Sequence, residues 1–167
     1  MSITLARMLS DAKGGPIDYQ GRSIMMSCKV PIVKGQEVFI EILKHNDIVE
    51  QGFKVSIDQR KGSIEINNQK INTPIFWTKT APKTFSFVCY PKKAIGIMNI
   101  WNVWKYKENI DAWIGHAGLY IEYDEDGAIV LHCSDGIKEV DFENLVFKVK
   151  IRNGHDNSSN MPKGDGS

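Results

Sequence analysis

The stretch LHCSDGIKEVDFENLVFKVKI, Leu131 to Ile151, sets Asp135, Glu139, Asp141, Glu143 and Asn144 between two apolar runs. Carboxylates and amide carbonyls gathered in one connection are the donors from which a Ca²⁺ shell of roughly six to eight oxygens is built. Asp135, Asp141, Glu143 and Asn144 are the candidate metal ligands, with backbone oxygens to complete the shell. The spacing is not that of an EF-hand, because no D-x-D-x-D-G run ends in Glu. The other reading is a solvated acidic loop, which needs no ion.

A second constellation lies upstream. NIWNVWKYKENIDAWIGHAG places Trp101, Trp104, Tyr106 and Trp113 within thirteen positions. In a strand, residues two apart share a face, so Asn99, Trp101 and Val103 point one way and Ile100, Asn102 and Trp104 the other. One face must be core. An exposed Trp104 or Trp113 would offer a platform for the apolar face of a sugar ring, with Asn102, Asp111 and His116 bonding its hydroxyls. Paired polar groups beside an aromatic surface are what a neutral polyhydroxylated ligand requires. Packing of these Trp residues in the core, or at a protein interface, is the competing reading.

The remaining reactive residue types form no site. His45, His116, His132 and His155 lack H-x-x-H or H-E-x-x-H spacing, and adjacent His132 and Cys133 face opposite sides of a strand. No G-x-S-x-G and no cysteine in a recognisable active-site context occurs. The expectation is a protein that is not an enzyme.

The elements that must position these residues read as strands. RSIMMSCKV, QEVFIEIL, FKVSI, SIEIN, TFSFVCY, IGIMNIWNVW, GLYIEY, AIVLHC and LVFKVKI are rich in β-branched and aromatic residues. Pro31, Lys34-Gly35, Gln51-Gly52, Lys61-Gly62, Asn67-Asn68, Pro82 and Pro91 fall in the gaps, and Asp126-Gly127 marks a hairpin tip. Only the first dozen residues suggest a helix, with Ser2 as N-cap, Leu5, Met8 and Leu9 on one face, and Gly14-Gly15-Pro16 as its end. The fold expected is an all-β antiparallel sandwich or jelly roll, like galactose-binding domains, with one short N-terminal helix. It occupies residues 1–152, followed by a disordered polar tail over 153–167.

Composition narrows the partners. Of 167 residues, 42% are hydrophobic and 25% charged, as in a globular domain. Lys plus Arg (21) almost balances Asp plus Glu (20), so the basic excess of a nucleic-acid binder is lacking. No apolar run approaches the roughly 20 residues of a membrane span, and no h-region marks a signal peptide. Three separated cysteines, each in a strand-like run, suit buried thiols in a reducing cytoplasm.

The closing segment resembles the last two strands of the small calcium-dependent, galactose-binding bacterial lectins. AIVLHCSDG corresponds to a strand ending in an acidic residue, GIKEVDFEN to the ion-carrying loop, and FKVKI to the closing strand. The resemblance covers about a quarter of the chain. It implies a signal-less β-sandwich, with Asp135 and Glu143 at the positions of that family's Asp and one ligating Asn. Glu143 stands in place of an amide, Phe142 in place of a neighbouring Asn ligand, and Glu139 in place of a Thr. No residue matches the family's sugar-contacting His and Gln. The longer pattern NIWNVW…IDAWIGHAGLYIEY…HCSDG…DFENLVFKV is similar to a group of small bacterial proteins. The leading expectation is a lectin-like carbohydrate-binding protein with Ca²⁺, its ligand held by Asn102, Trp104, Asp111, Trp113, His116 and Asp135. The alternative is a protein-interaction module, an immunity or toxin-accessory protein or a self-assembling homo-oligomer.

Overall fold

Alternating apolar runs separated by residues that favour turns pair here into antiparallel sheets. The computed structural model describes residues 3–152, so Ser2 and the polar tail expected over 153–167 lie outside the described residues. Helix α1 (Leu5–Asp11) comes first. Strands β1 (Ile17–Tyr19), β2 (Arg22–Ile24), β3 (Cys28–Val33), β4 (Gln36–His45) and β5 (Glu50–Ile57) follow. Next are β6 (Ser63–Ile66), β7 (Gln69–Ile71), β8 (Ile75–Trp77), β9 (Thr84–Tyr90) and β10 (Ile95–Tyr106). The described chain closes with β11 (Asn109–Asp111), β12 (Gly118–Tyr123), β13 (Ile129–Ser134) and β14 (Leu145–Ile151).

The fold is an all-β sandwich. One sheet has the order β12-β13-β14-β4-β9-β6-β7, the other β11-β10-β5-β8 with β3 also on β10, while β1 and β2 form a separate hairpin. Period-2 alternation decides which side chains meet between the sheets. Val38, Ile40 and Ile42 of β4 and Leu145, Phe147 and Val149 of β14 face Phe53, Val55 and Ile57 of β5 and Met98 and Ile100 of β10. Phe53 stacks on Phe147 with ring centroids 4.2 Å apart, and Phe76 and Phe85 extend the aromatic row. Among the described residues no helix is long and apolar enough to cross a membrane.

Four local expectations change. Gln51-Gly52 lies inside β5, paired with Trp104 and Val103 of β10, rather than in a gap. The helix is capped by Thr4, whose Oγ1 accepts from the Arg7 amide at 3.1 Å, rather than by Ser2. RSIMMSCKV is not one strand: it breaks at Met25–Ser27, because Met25 leaves to bridge Leu119 of β12 while β3 crosses to β10. Pro31 lies inside β3, not in a gap. Among the described residues β3 is bonded only to β10, so a residue without an N–H is tolerated on it.

Cys28, Cys89 and Cys133 are free and buried. Burial pushes the Cys28 thiol up to about 11 and that of Cys89 to about 12, and raises Cys133 well above its ordinary value. The thiolate is the reactive form, so the native protein should resist a thiol-disulfide reagent at about pH 8, near the ordinary thiol pKa. Denaturant should release all three thiols. Rapid native-state labelling of any of them, counted by mass spectrometry, would contradict this packing.

Candidate functional site

The two sheets leave one end of the sandwich to be closed by loops. There the β4–β5, β11–β12 and β13–β14 connections meet the start of α1 around a cavity of about 910 Å³. Two glycines bring the loops together. A Cβ on Gly115 would sit 2.5 Å from the Gly136 carbonyl oxygen, and one on Gly136 only 2.3 Å from that of Ile114. Gly115 also has φ +60°, a conformation natural to glycine. The Gly115 carbonyl then accepts from the Ala6 amide at 3.0 Å, tying the helix to the same corner. Leu5 and Leu9 pack on Ile24 and on Phe142, so Phe142 is an apolar anchor for the loop.

Four of the candidate site residues line this cavity together, His116, Asp135, Asp141 and Asn144, with Glu139 of the same acidic connection beside them. Sequence reasoning did not find Asn46 and Thr4, which join them. His116 Nδ1 is enclosed and has no hydrogen-bond partner among the described residues. Asp135 is 6% exposed. Its Oδ2 accepts from Gln51 Nε2 at 2.8 Å and its Oδ1 from the Ile137 amide at 3.0 Å. Its own amide donates to Asn144 Oδ1 at 3.0 Å. Asp141 Oδ1 accepts from the Glu143 amide at 2.9 Å, and the Asp141 amide donates to Ser134 Oγ. The loop is thus held by its own N–H donors.

The other candidates lie elsewhere. Asn102 and Trp104 share the inward face of β10 with Met98 and Ile100, so neither belongs to an exposed rim. Trp104 is 0% exposed, with its indole beneath Gly136. Asn102 Nδ2 donates to the Ser134 carbonyl at 3.0 Å. With Gln51, these residues make a buried polar layer between the hydrophobic core and the cavity. Trp113 is 40% exposed, but its ring rests on Trp101 at 4.9 Å and its Nε1 donates to the Met26 carbonyl at 3.0 Å. Asp111 ends β11 opposite Trp104 in the register and, like Trp113, does not line the cavity.

Glu143 is paired with the Lys44 ammonium. That hydrogen bond, then the charge of Lys44, lowers the Glu143 carboxyl below its ordinary value, and Lys44 is raised in return. As packed, the side chains named as candidate Ca²⁺ ligands are already engaged with protein donors. Each Asp135 oxygen, the Asn144 carbonyl and one Asp141 oxygen accepts from an N–H donor, and Glu143 is paired with an ammonium. Among the described residues no group of three or more His, Cys, Asp or Glu side chains could hold a metal ion.

No protein-family model matches the chain, and no curated protein or solved structure matches it.

Proposed function

We propose that the protein is a non-enzymatic, lectin-like carbohydrate-binding module whose ligand occupies the loop-end cavity. The observation that carries this reading is the convergence of His116, Asp141 and Asn144 on an open cavity of about 910 Å³. Among the described residues, hydrogen-bonding capacity is left unmet there: the enclosed His116 Nδ1 has no partner, and the second Asp141 oxygen takes no hydrogen bond. A neutral sugar supplies hydroxyls that both donate and accept, so it can satisfy an imidazole nitrogen and a carboxylate oxygen at once. A reducing cytoplasm suits the three free thiols.

A glycan array with the intact protein, followed by calorimetry on the best binder, tests this reading. Replacing His116 by alanine should weaken that binder roughly tenfold, the value of about one hydrogen bond. A silent array, or unchanged affinity in His116→Ala, would overturn it. Calcium is not required by this site, since Lys44 already neutralises Glu143. A rise in melting temperature in millimolar Ca²⁺ over EDTA would return the ion to it, because ligand binding to the native state raises stability.

One observation favours a protein partner instead. Ile48, more than half exposed, lines the cavity beside Val49, and Ile114, also more than half exposed, directly precedes Gly115 of its lining. Exposed apolar side chains of this kind also serve as anchors at a protein interface. A silent array together with a discrete oligomer in sedimentation would favour that reading.

A further inference from the structure

At the opposite end of β10 the outer face of the five-stranded sheet carries a second cavity, of about 460 Å³. Lys29 of β3, Lys61 of the β5–β6 turn, and Lys92 and Lys93 of the β9–β10 turn all line it. None of the four forms a salt bridge among the described residues, although the whole chain is nearly neutral. Asp58 is the one carboxylate in the lining, and it is committed to the backbone. Its Oδ1 accepts from the Ile97 amide at 2.9 Å and its Oδ2 from the Lys92 amide at 3.2 Å. A Cβ on Gly96 would sit 2.7 Å from both Asp58 oxygens, so glycine there lets the carboxylate join the two lysine-bearing turns. The groove is therefore built, and built with excess positive charge.

Two further features specify what it takes. Asn99, opposite Lys29 in the register, has an enclosed Oδ1 with no hydrogen-bond donor among the described residues, which is costly unless a partner arrives. Ile95 and Ile97 lie along the groove, 68% and 43% exposed, as an apolar wall. Ammonium groups call for an oxyanion, the amide oxygen for a hydroxyl donor, and the isoleucines for a C–H face. We propose that this groove binds a phosphate or sulfate monoester carried on a polyhydroxylated body, such as a sugar phosphate or sugar sulfate. The size suits one small ligand, and nothing in it depends on the loop-end cavity.

Calorimetry at low salt with three probes tests the assignment. Glucose 6-phosphate should bind best, inorganic phosphate more weakly, and glucose not at all, and added salt should weaken the first two. Glucose 6-sulfate then tells a sulfate site from a phosphate site. The K61Q/K92Q double variant, altered only at exposed positions, should lose roughly tenfold in affinity for glucose 6-phosphate. N99A should lose the advantage of glucose 6-phosphate over inorganic phosphate. K105Q/K107Q, with the same charge change at the other end of β10, should bind as the unmodified protein does. No binding of glucose 6-phosphate, unchanged affinity in K61Q/K92Q, or an equal loss in K105Q/K107Q would overturn the proposal.

Discussion

Replacing Trp104 by alanine is expected to lower the free energy of unfolding by about 3–5 kcal/mol, the range for emptying a buried aromatic site. The ring is fully enclosed and lies against Gly136, so no solvent is present to fill the void cheaply. The cavity would also undermine the turn that lines the loop-end site. Trp113→Ala should cost only about 1–2 kcal/mol, for one ring contact and one hydrogen bond at a partly exposed position. Trp104→Phe separates volume from polarity. It keeps most of the ring and deletes an indole N–H that has no partner among the described residues, so its cost should fall well below that of alanine. Urea denaturation reads all three as shifts in midpoint at constant slope. A Trp104→Ala protein as stable as the parent, yet unable to bind sugar, would show that the indole belongs to the binding surface after all.

Why the inward face of β10 could not be chosen in advance is a matter of symmetry. Met98, Ile100, Asn102 and Trp104 alternate with Ile97, Asn99, Trp101 and Val103, and both sets carry apolar residues, one Asn and one Trp. Trp101 is itself buried, because Trp113 folds over it from a distant loop. Strands with one solvated face were easier to read. Val38, Ile40 and Ile42 alternate with partly exposed neighbours, and both runs of the closing hairpin fall where β13 and β14 form. Turn chemistry was legible at Asp126-Gly127, where the Asp124 carboxylate accepts from the Asp126 and Ala128 amides. It was illegible at Lys107-Glu108, where two residues with no turn preference take φ of 50° and 70° to reverse β10 into β11. At the site, the cavity gathers His116, Asp135, Asp141 and Asn144 as one group. The partner of Asp135 was hidden: Gln51 lies 84 positions away, and only pairing of β5 with β10 beneath the loop brings its amide there.

Replacing Asp135 by alanine should cost about 3 kcal/mol, the upper part of the range for leaving buried groups unpaired, because two donors lose their acceptor together. Gln51 is 0% exposed, and its Oε1 already has no partner among the described residues. Without Asp135 its Nε2 is stranded too, and the Ile137 amide is released where the loop turns. Asp135→Asn should be milder, about 1 kcal/mol, because a half-turn of the Gln51 amide lets its Oε1 accept from the introduced amide group. The pair of variants also separates the two accounts of this acidic connection. If the carboxylate acts as an acceptor for N–H groups, each variant loses the same stability in EDTA as in Ca²⁺. If it acts as a cation ligand, both lose stability in Ca²⁺ and match the parent in EDTA. The bonding pattern favours the first account. Asp135 accepts from a side chain and a loop amide while its own amide donates to Asn144, so it joins β5 and both ends of the β13–β14 connection without an ion.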